Sequence, residues 1–281
     1  MKNFFLGLMI VCGVISLTGC VTSVTQSDGQ SGRTGSQNFS GDVSNGTRAE
    51  SDEPTKSDAR TKSKAHVDLG NAYLEAARMG VALDEANLAI GYDHTYAPAY
   101  MLLGLVYANL DQNDQAETAF AEASRLAPGD PEVNNNYGWF LCSRGREQEG
   151  LKHIEQAATN PYYNTPARAY TNAGLCYLRI KNDASAEAQF ARAYQFDPTN
   201  KQVLFQLAAI SYRKGDEVRA RTFLSTLQGL MVAPTSETLW LGLCIEHKLG
   251  NKEKENDYAF RLRRDFASSA EYQALLQGKY E

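Results

Sequence analysis

The sequence predicts an all-α solenoid, a stack of short paired helices, carried on an unstructured N-terminal tether. Three observations predict it. Small residues, mostly preceded by Leu, recur at Gly70, Gly104, Gly138, Gly174, Ala208 and Gly242, with spacings of 34, 34, 36, 34 and 34 residues. From about Lys62 onward the chain is rich in Ala, Leu and Tyr, a mixture that suits helices packed closely through small residues; the whole chain holds 15 Tyr but only 2 Trp. Before that point it consists mainly of Ser, Gly, Thr, Asp and Gln. A fixed internal period of roughly 20–50 residues marks repeat architectures, in which one unit cannot cover its own apolar faces and its neighbours complete the core.

Residues 1–19 have the layout of a secretory signal peptide. Lys2 precedes an apolar run from Phe4 to Leu17 that is too short and wrongly flanked for a stable membrane span. The run ends in Leu17-Thr18-Gly19-Cys20, which resembles the lipobox of bacterial lipoproteins. That resemblance implies cleavage before Cys20 and attachment of diacylglycerol and acyl groups there, the one modification expected; no other cofactor is implied. Buried acyl chains contribute about 0.8 kcal/mol per methylene, so several together form a lasting anchor. Val21 and Thr22 follow, where an Asp after the Cys would imply retention at the inner membrane. The resemblance therefore implies the periplasmic face of a Gram-negative outer membrane.

The tether is assigned to residues 20–62. From Val21 to Thr61 it has no helical or strand period, and Phe39 is its only aromatic residue. It cannot bury enough apolar surface to offset its ordering entropy. A flexible coil of that length has an end-to-end distance of about 35 Å.

Residues 63–268 divide into six units, at 63–96, 97–130, 131–166, 167–200, 201–234 and 235–268. Three places after each small pair stands Tyr73, Tyr107, Leu141, Tyr177 or Ile245, with Tyr212 slipped by one in the fifth unit. A second small residue follows at Ala82, Ala116, Gly150, Ala186 or Ala220, and four further on comes Phe120, Ile154, Phe190 or Leu224. Pro128 and Pro198 close units, since proline cannot continue the helical ladder. This pattern resembles the tetratricopeptide repeat, which implies six helix-turn-helix units wound into a right-handed superhelix. The second and fourth units match best. The first is weaker, with Ala86 where an aromatic residue is usual, and the sixth carries Lys254 and Arg261 at small-residue positions, so fraying or capping is expected there. Residues 269–281 are expected to form a polar capping helix.

Catalytic and metal-binding signals are missing from the sequence. His66, His94, His153 and His247 are isolated, and no His/Cys cluster has metal-ligand spacing. The Gly-rich stretches lack the order of Gly and Lys that holds phosphate, and no local motif nominates a nucleophile. The formal charge of −5 without a basic run argues against nucleic acid and acidic headgroups. Cys142, Cys176 and Cys244 are expected as small buried hydrophobes in helices, with a Cys142–Cys176 bridge left open.

In tetratricopeptide arrays certain positions of the first helix of each unit line the inner groove. The resemblance places Val67, Asn71 and Leu74 there in unit one, and Met101, Leu105, Ala108 and Asn109 in unit two. Unit three gives Asn135, Trp139 and Cys142; unit four gives Thr171, Leu175, Leu178 and Arg179; Phe205 and Tyr212 continue the line. The set implies an apolar ligand such as an amphipathic helix or extended peptide. Leu102 and Leu105 stand where a groove that clamps a C-terminal carboxylate would carry polar residues, which disfavours that mode. The combination of lipobox, tether and repeats, with Asn134-Asn135-Asn136-Tyr137-Gly138 and Leu141-Cys142, is similar to the type IV pilus biogenesis and stability lipoproteins, pilotins of the pilus secretin. That similarity implies a non-enzymatic scaffold that binds secretin subunits while anchored in the outer membrane, with no nucleic acid or small-molecule substrate. A periplasmic adaptor for cell-wall enzymes and an accessory scaffold of the β-barrel assembly machinery are the alternatives.

Overall fold

The computed structural model describes residues 55–280; the signal peptide, Cys20, the tether as far as residue 54, and Glu281 lie outside the described residues. Thirteen α-helices and no strand make up that part. Twelve of them form six hairpins. These are α1 (Lys56–Glu75) with α2 (Met79–Tyr92), α3 (Ala97–Asn109) with α4 (Asn113–Leu126), and α5 (Pro131–Ser143) with α6 (Glu147–Ala158). Then come α7 (Pro166–Arg179) with α8 (Asp183–Phe196), α9 (Lys201–Arg213) with α10 (Glu217–Gly229), and α11 (Ser236–Lys248) with α12 (Lys252–Asp265); α13 (Ala270–Leu276) follows alone.

Within the six hairpins each helix packs most extensively on its hairpin partner, and the second helix of each hairpin then packs on the first helix of the next. The odd-numbered helices also touch one another, α1 with α3, α3 with α5, α5 with α7 and α9 with α11. No two even-numbered helices among the described residues make comparable contact. In a curved stack the inner helices crowd and the outer ones splay, so the odd helices line the concave side. The fold is an all-α solenoid.

Small residues set the hairpin geometry. A β-carbon on Gly104 would lie 2.9 Å from the Phe120 ring, and one on Gly174 would lie 2.6 Å from Phe190. Between α5 and α6 the backbones themselves meet, because a β-carbon on Gly138 would be 2.6 Å from the Gly150 carbonyl oxygen. The second small residues, Ala82, Ala116, Ala186 and Ala220, are completely buried, and Phe120, Ile154 and Phe190 fill the wedges beside them. In the first unit Ala86 leaves that wedge short, and Leu102 of α3 fills it from the next hairpin, packing over Gly70.

Helix starts follow from local chemistry. Asp130 Oδ1 accepts from the backbone N–H groups of Glu132 and Val133 at 2.8 and 3.0 Å, and Pro131 occupies the first helical position, where no N–H is missed. Asn182, Asn200 and Asp216 cap α8, α9 and α10 similarly.

Two expectations need correction and two open alternatives are resolved. Helix α1 starts at Lys56 rather than near residue 63, because Thr55 and Asp58 form a reciprocal capping box and Arg60 pairs with Asp93 at 2.5 Å. Of the fraying or capping expected at the sixth hairpin, fraying is not seen: Lys254 is exposed to solvent, while the Tyr258 ring packs on Gly242 and Leu262 is fully buried. Helix α13 ends at Leu276, and the chain then turns through Gly278, whose φ of +65° suits glycine, and runs back toward α11. Finally, Cys142 and Cys176 are bridged across α5 and α7, with Cα atoms 5.8 Å apart, whereas Cys244 is a buried free thiol whose pKa burial pushes up to about 12.

Candidate functional site: the inner groove

Helical spacing turns one stripe of each odd-numbered helix toward the concave side. Leu105 and Ala108 of α3, Trp139 of α5, Leu175 and Leu178 of α7, and Phe205, Ala209 and Tyr212 of α9 are all half-buried. Trp139, Leu175 and Leu178 rest on the cluster around Cys142, Cys176 and Phe190, so their inner edges are fixed while their outer faces stay open. The result is an apolar floor crossing several units.

Polar side chains lock neighbouring inner helices in register. Arg168 of α7 donates to Glu132 Oε1 at 2.6 Å and to Asn136 Oδ1 at 2.5 Å, both on α5. Asn172 Nδ2 donates to Asn135 Oδ1 at 2.9 Å. Asn136 Nδ2 lies 3.2 Å from the Met101 sulfur of α3. Asn134 turns the other way: its amide donates to the carbonyls of Pro128 and Asp130 at 2.8 and 2.9 Å, and its Oδ1 meets His153 Nδ1 at 2.7 Å. The three consecutive asparagines therefore tie α5 to its neighbours on three sides. The Cys142–Cys176 bridge lies beneath, also joining α5 to α7.

The stripe expected from the sequence contains half-buried, exposed and buried residues. Asn71, Leu74, Leu105, Trp139, Leu175 and Leu178 are half-buried, and Asn109 and Arg179 are exposed. Val67, Met101 and Asn135 are buried instead: Val67 packs with Ala89 and Ala99, Met101 joins the Phe120 cluster, and Asn135 is fully enclosed. They support the floor rather than offer surface. Cys142 and Thr171, read as groove residues, are buried as well, Cys142 inside the disulfide. Asn109 satisfies its amide on the Leu105 carbonyl of its own helix, at 2.8 Å. Arg179 reaches Glu147 and the Ser143 carbonyl, each at 3.4 Å. Tyr212 is no slipped core residue: Ser211 takes the buried position and Tyr212 faces the groove. Arg168 and Asn172 carry no sequence signal, because single polar residues have no period, and Asn136 stands out only as part of the Asn134-Asn135-Asn136 run.

A cavity of about 1130 Å³ opens elsewhere, between α3 and α4, lined by Tyr100, Leu103, Tyr107 and residues of α4. Its lining comes from the faces turned away from the groove, and its Glu122–Arg125 pair satisfies itself at 2.6 Å. Among the described residues no group of three or more His, Cys, Asp or Glu side chains is placed to hold a metal, and no helix is long and apolar enough to cross a membrane.

An apolar groove on stacked helical hairpins defines a class of protein: a helical-repeat scaffold for binding other proteins. The tetratricopeptide repeat family matches at residues 97–130 and 167–200, the two units whose residues follow the pattern best. The type IV pilus assembly protein PilF of Pseudomonas aeruginosa is 25% identical over 262 residues, spanning 92% of this chain and 93% of PilF. The crystal structure of PilW, a widely conserved type IV pilus biogenesis factor, is 28% identical with a TM-score of 0.69, covering 76% of this chain and 98% of PilW. A PilF structure from P. aeruginosa superposes with a TM-score of 0.74 at 24% identity, over 80% of this chain and 99% of PilF's. The chain is thus a tetratricopeptide-repeat protein homologous to the type IV pilus biogenesis proteins PilF and PilW.

Proposed function

We propose that this chain is the lipid-anchored pilotin of a type IV pilus: its inner groove captures a segment of the secretin subunit and its acylated Cys20 brings that subunit to the outer membrane. The observation that carries the reading is the apolar stripe of half-buried side chains Leu105, Trp139, Leu175, Leu178 and Phe205, in a chain similar to PilF over nearly its whole length. A stripe of this kind fits an amphipathic helix or an extended peptide with alternating apolar side chains. The mechanism involves no bond making. Binding covers apolar surface on the partner that would otherwise aggregate, and the anchor raises the partner's local concentration at the membrane.

Two further observations support the placement. The lipobox ending in Cys20 supplies an anchor and the tether after it supplies reach. The Cys142–Cys176 disulfide fits an oxidising compartment such as the periplasm.

Paired variants separate anchoring from capture. Cys20→Ser is expected to abolish incorporation of labelled palmitate and to misplace the secretin, while the purified repeats still bind it. Trp139→Ala combined with Leu178→Glu is expected to weaken secretin binding at least tenfold, about 1.4 kcal/mol, with anchoring intact. Both sites are half-buried, so neither change empties the core, whereas Met101 would be a poor choice because it is buried. Equal capture by the double variant would remove the groove from the proposal.

A further inference from the structure

The last described residue occupies the C-terminal end of the inner groove. Trp240 and His247 lie on α11 seven residues apart, so they project from the same face about 10.5 Å from each other along the helix. The Tyr280 ring fits between them. Its centroid is 4.2 Å from that of His247, with the planes 1° apart, and 6.1 Å from that of Trp240, with the planes 10° apart. Three rings therefore stand parallel along α11, the middle one supplied by the tail. The tail backbone is held as well: the Tyr212 hydroxyl of α9 donates to the Tyr280 carbonyl at 2.9 Å.

The slot is built independently of what fills it. His247 is oriented by Glu255, whose Oε1 is 2.9 Å from Nδ1, and Glu255 is itself held by Lys252 at 2.8 Å. Trp240 packs against the cluster of Leu239, Leu243 and Leu262, on which the Tyr280 ring also rests. The tail, by contrast, is lightly attached. Gln277, Gly278 and Lys279 are exposed, and the Lys279 amide bonds back to Ala274 of α13, so beyond that turn only the Tyr280 ring and carbonyl reach the slot.

We infer that Tyr212, Trp240 and His247 form a binding subsite for an extended peptide carrying a planar ring, and that the chain's own Tyr280 is its resident, displaceable occupant. Parallel rings favour a flat aromatic side chain over an aliphatic one. The Tyr212 hydroxyl adds a contact to main chain, which any extended segment can supply. The tail therefore competes with every ligand that reaches this end of the groove. The inference holds whichever partner the groove serves.

Attachment in cis gives the tail an effective concentration on the order of millimolar. A slot occupied under those conditions must take the free segment with a dissociation constant of that order or tighter. The test uses a fluorescently labelled peptide of residues 276–281, titrated to millimolar concentration and followed by anisotropy. It is added to the full chain, to the full chain with Tyr280→Ala, and to a chain ending at Gly278, which keeps α13. Saturable binding is expected to the two altered chains, several-fold weaker binding to the unaltered one, and none when the peptide's own tyrosine is replaced by alanine. A Tyr280→Ala chain that also carries Trp240→Ala should lose the peptide. Absence of saturable binding to both altered chains, or equal binding to altered and unaltered chains, overturns the inference. Melting curves confirm that each variant is folded. No secretin enters the assay, so its failure leaves the proposed function standing, and failure of the secretin reading leaves the subsite standing.

Discussion

His153 sits against the α5–α6 contact, its Nδ1 2.7 Å from Asn134 Oδ1 and its ring 5.0 Å from that of Tyr137. Burial lowers its pKa below the usual 6.5, so the folded chain resists protonating it and the unfolded chain does not. The stability it contributes is therefore full above about pH 6.5 and is lost as the pH falls from there through the lower folded value. Thermal melts between pH 8 and 5 should show a melting temperature that falls below about pH 6.5, and His153→Gln should remove that part of the slope. An unchanged slope in the variant would contradict this assignment. The sequence shows His153 only as an isolated histidine, since its partner Asn134 lies 19 residues away on another helix. The same limit explains the groove. Position within a repeat fixes the direction of a side chain, so Trp139, Leu175 and Leu178 were legible. Depth depends on what the next unit places above, so Val67, Met101 and Asn135 were not. Tyr280 meets Tyr212 across 68 residues, and nothing local announces that contact.

At the scale of elements, the hairpins differ in how much room they leave. A β-carbon on Gly138 would meet the Gly150 carbonyl at 2.6 Å and Ile154 Cγ1 at 2.7 Å, and a backbone carbonyl cannot swing aside. Gly138→Ala should cost about 1–3 kcal/mol in urea unfolding. Gly70→Ala should cost less, because its nearest obstacle is the movable end of the Leu102 side chain. Equal costs would mean that backbone contact between α5 and α6 does not set the packing there. The disulfide ties helices 34 residues apart in sequence, at the unit boundary where the repeat spacing lengthens to 36. Cys142→Ala with Cys176→Ala should lower stability by about 2–4 kcal/mol through the freer unfolded chain, and a reducing agent should lower the melting temperature of the parent but not of the variant. The helices were legible because periodic small residues state where two helices must touch. Their ends were less so: the start of α1 at Lys56 rests on Thr55 and Asp58 in a segment otherwise composed like a tether, and the intact sixth hairpin rests on Tyr258 covering Gly242. The bridge stayed open in the sequence because three body cysteines permit more than one pairing.

For the molecule as a whole, six hairpins with an apolar inner stripe make a scaffold suited to holding a partner, and on the proposed reading the lipobox ending in Cys20 adds the means of delivering it. On that reading the scaffold's specificity lies in surface shape, with the apolar stripe from Leu105 to Phe205 as the main contact and the inferred slot between Trp240 and His247 at its far end. The even-numbered helices turn their charged faces outward, and several ion pairs there join successive hairpins, as Arg219 and Lys214 do with Glu187 at 2.6 and 2.7 Å. Such exposed pairs contribute little each, so the inner stripe and the buried seams between units carry the stability. The number and pairing of the hairpins were legible from the spacing, whereas the proposed partner rests on resemblance, because an apolar groove fits many segments. The most direct test of the central claim is a mildly denaturing immunoblot of the pilus secretin in membranes from cells with and without this chain. The account predicts that the high-mass secretin ring disappears without it, that monomer accumulates, and that porins are unchanged. An intact ring in cells lacking the chain would contradict it.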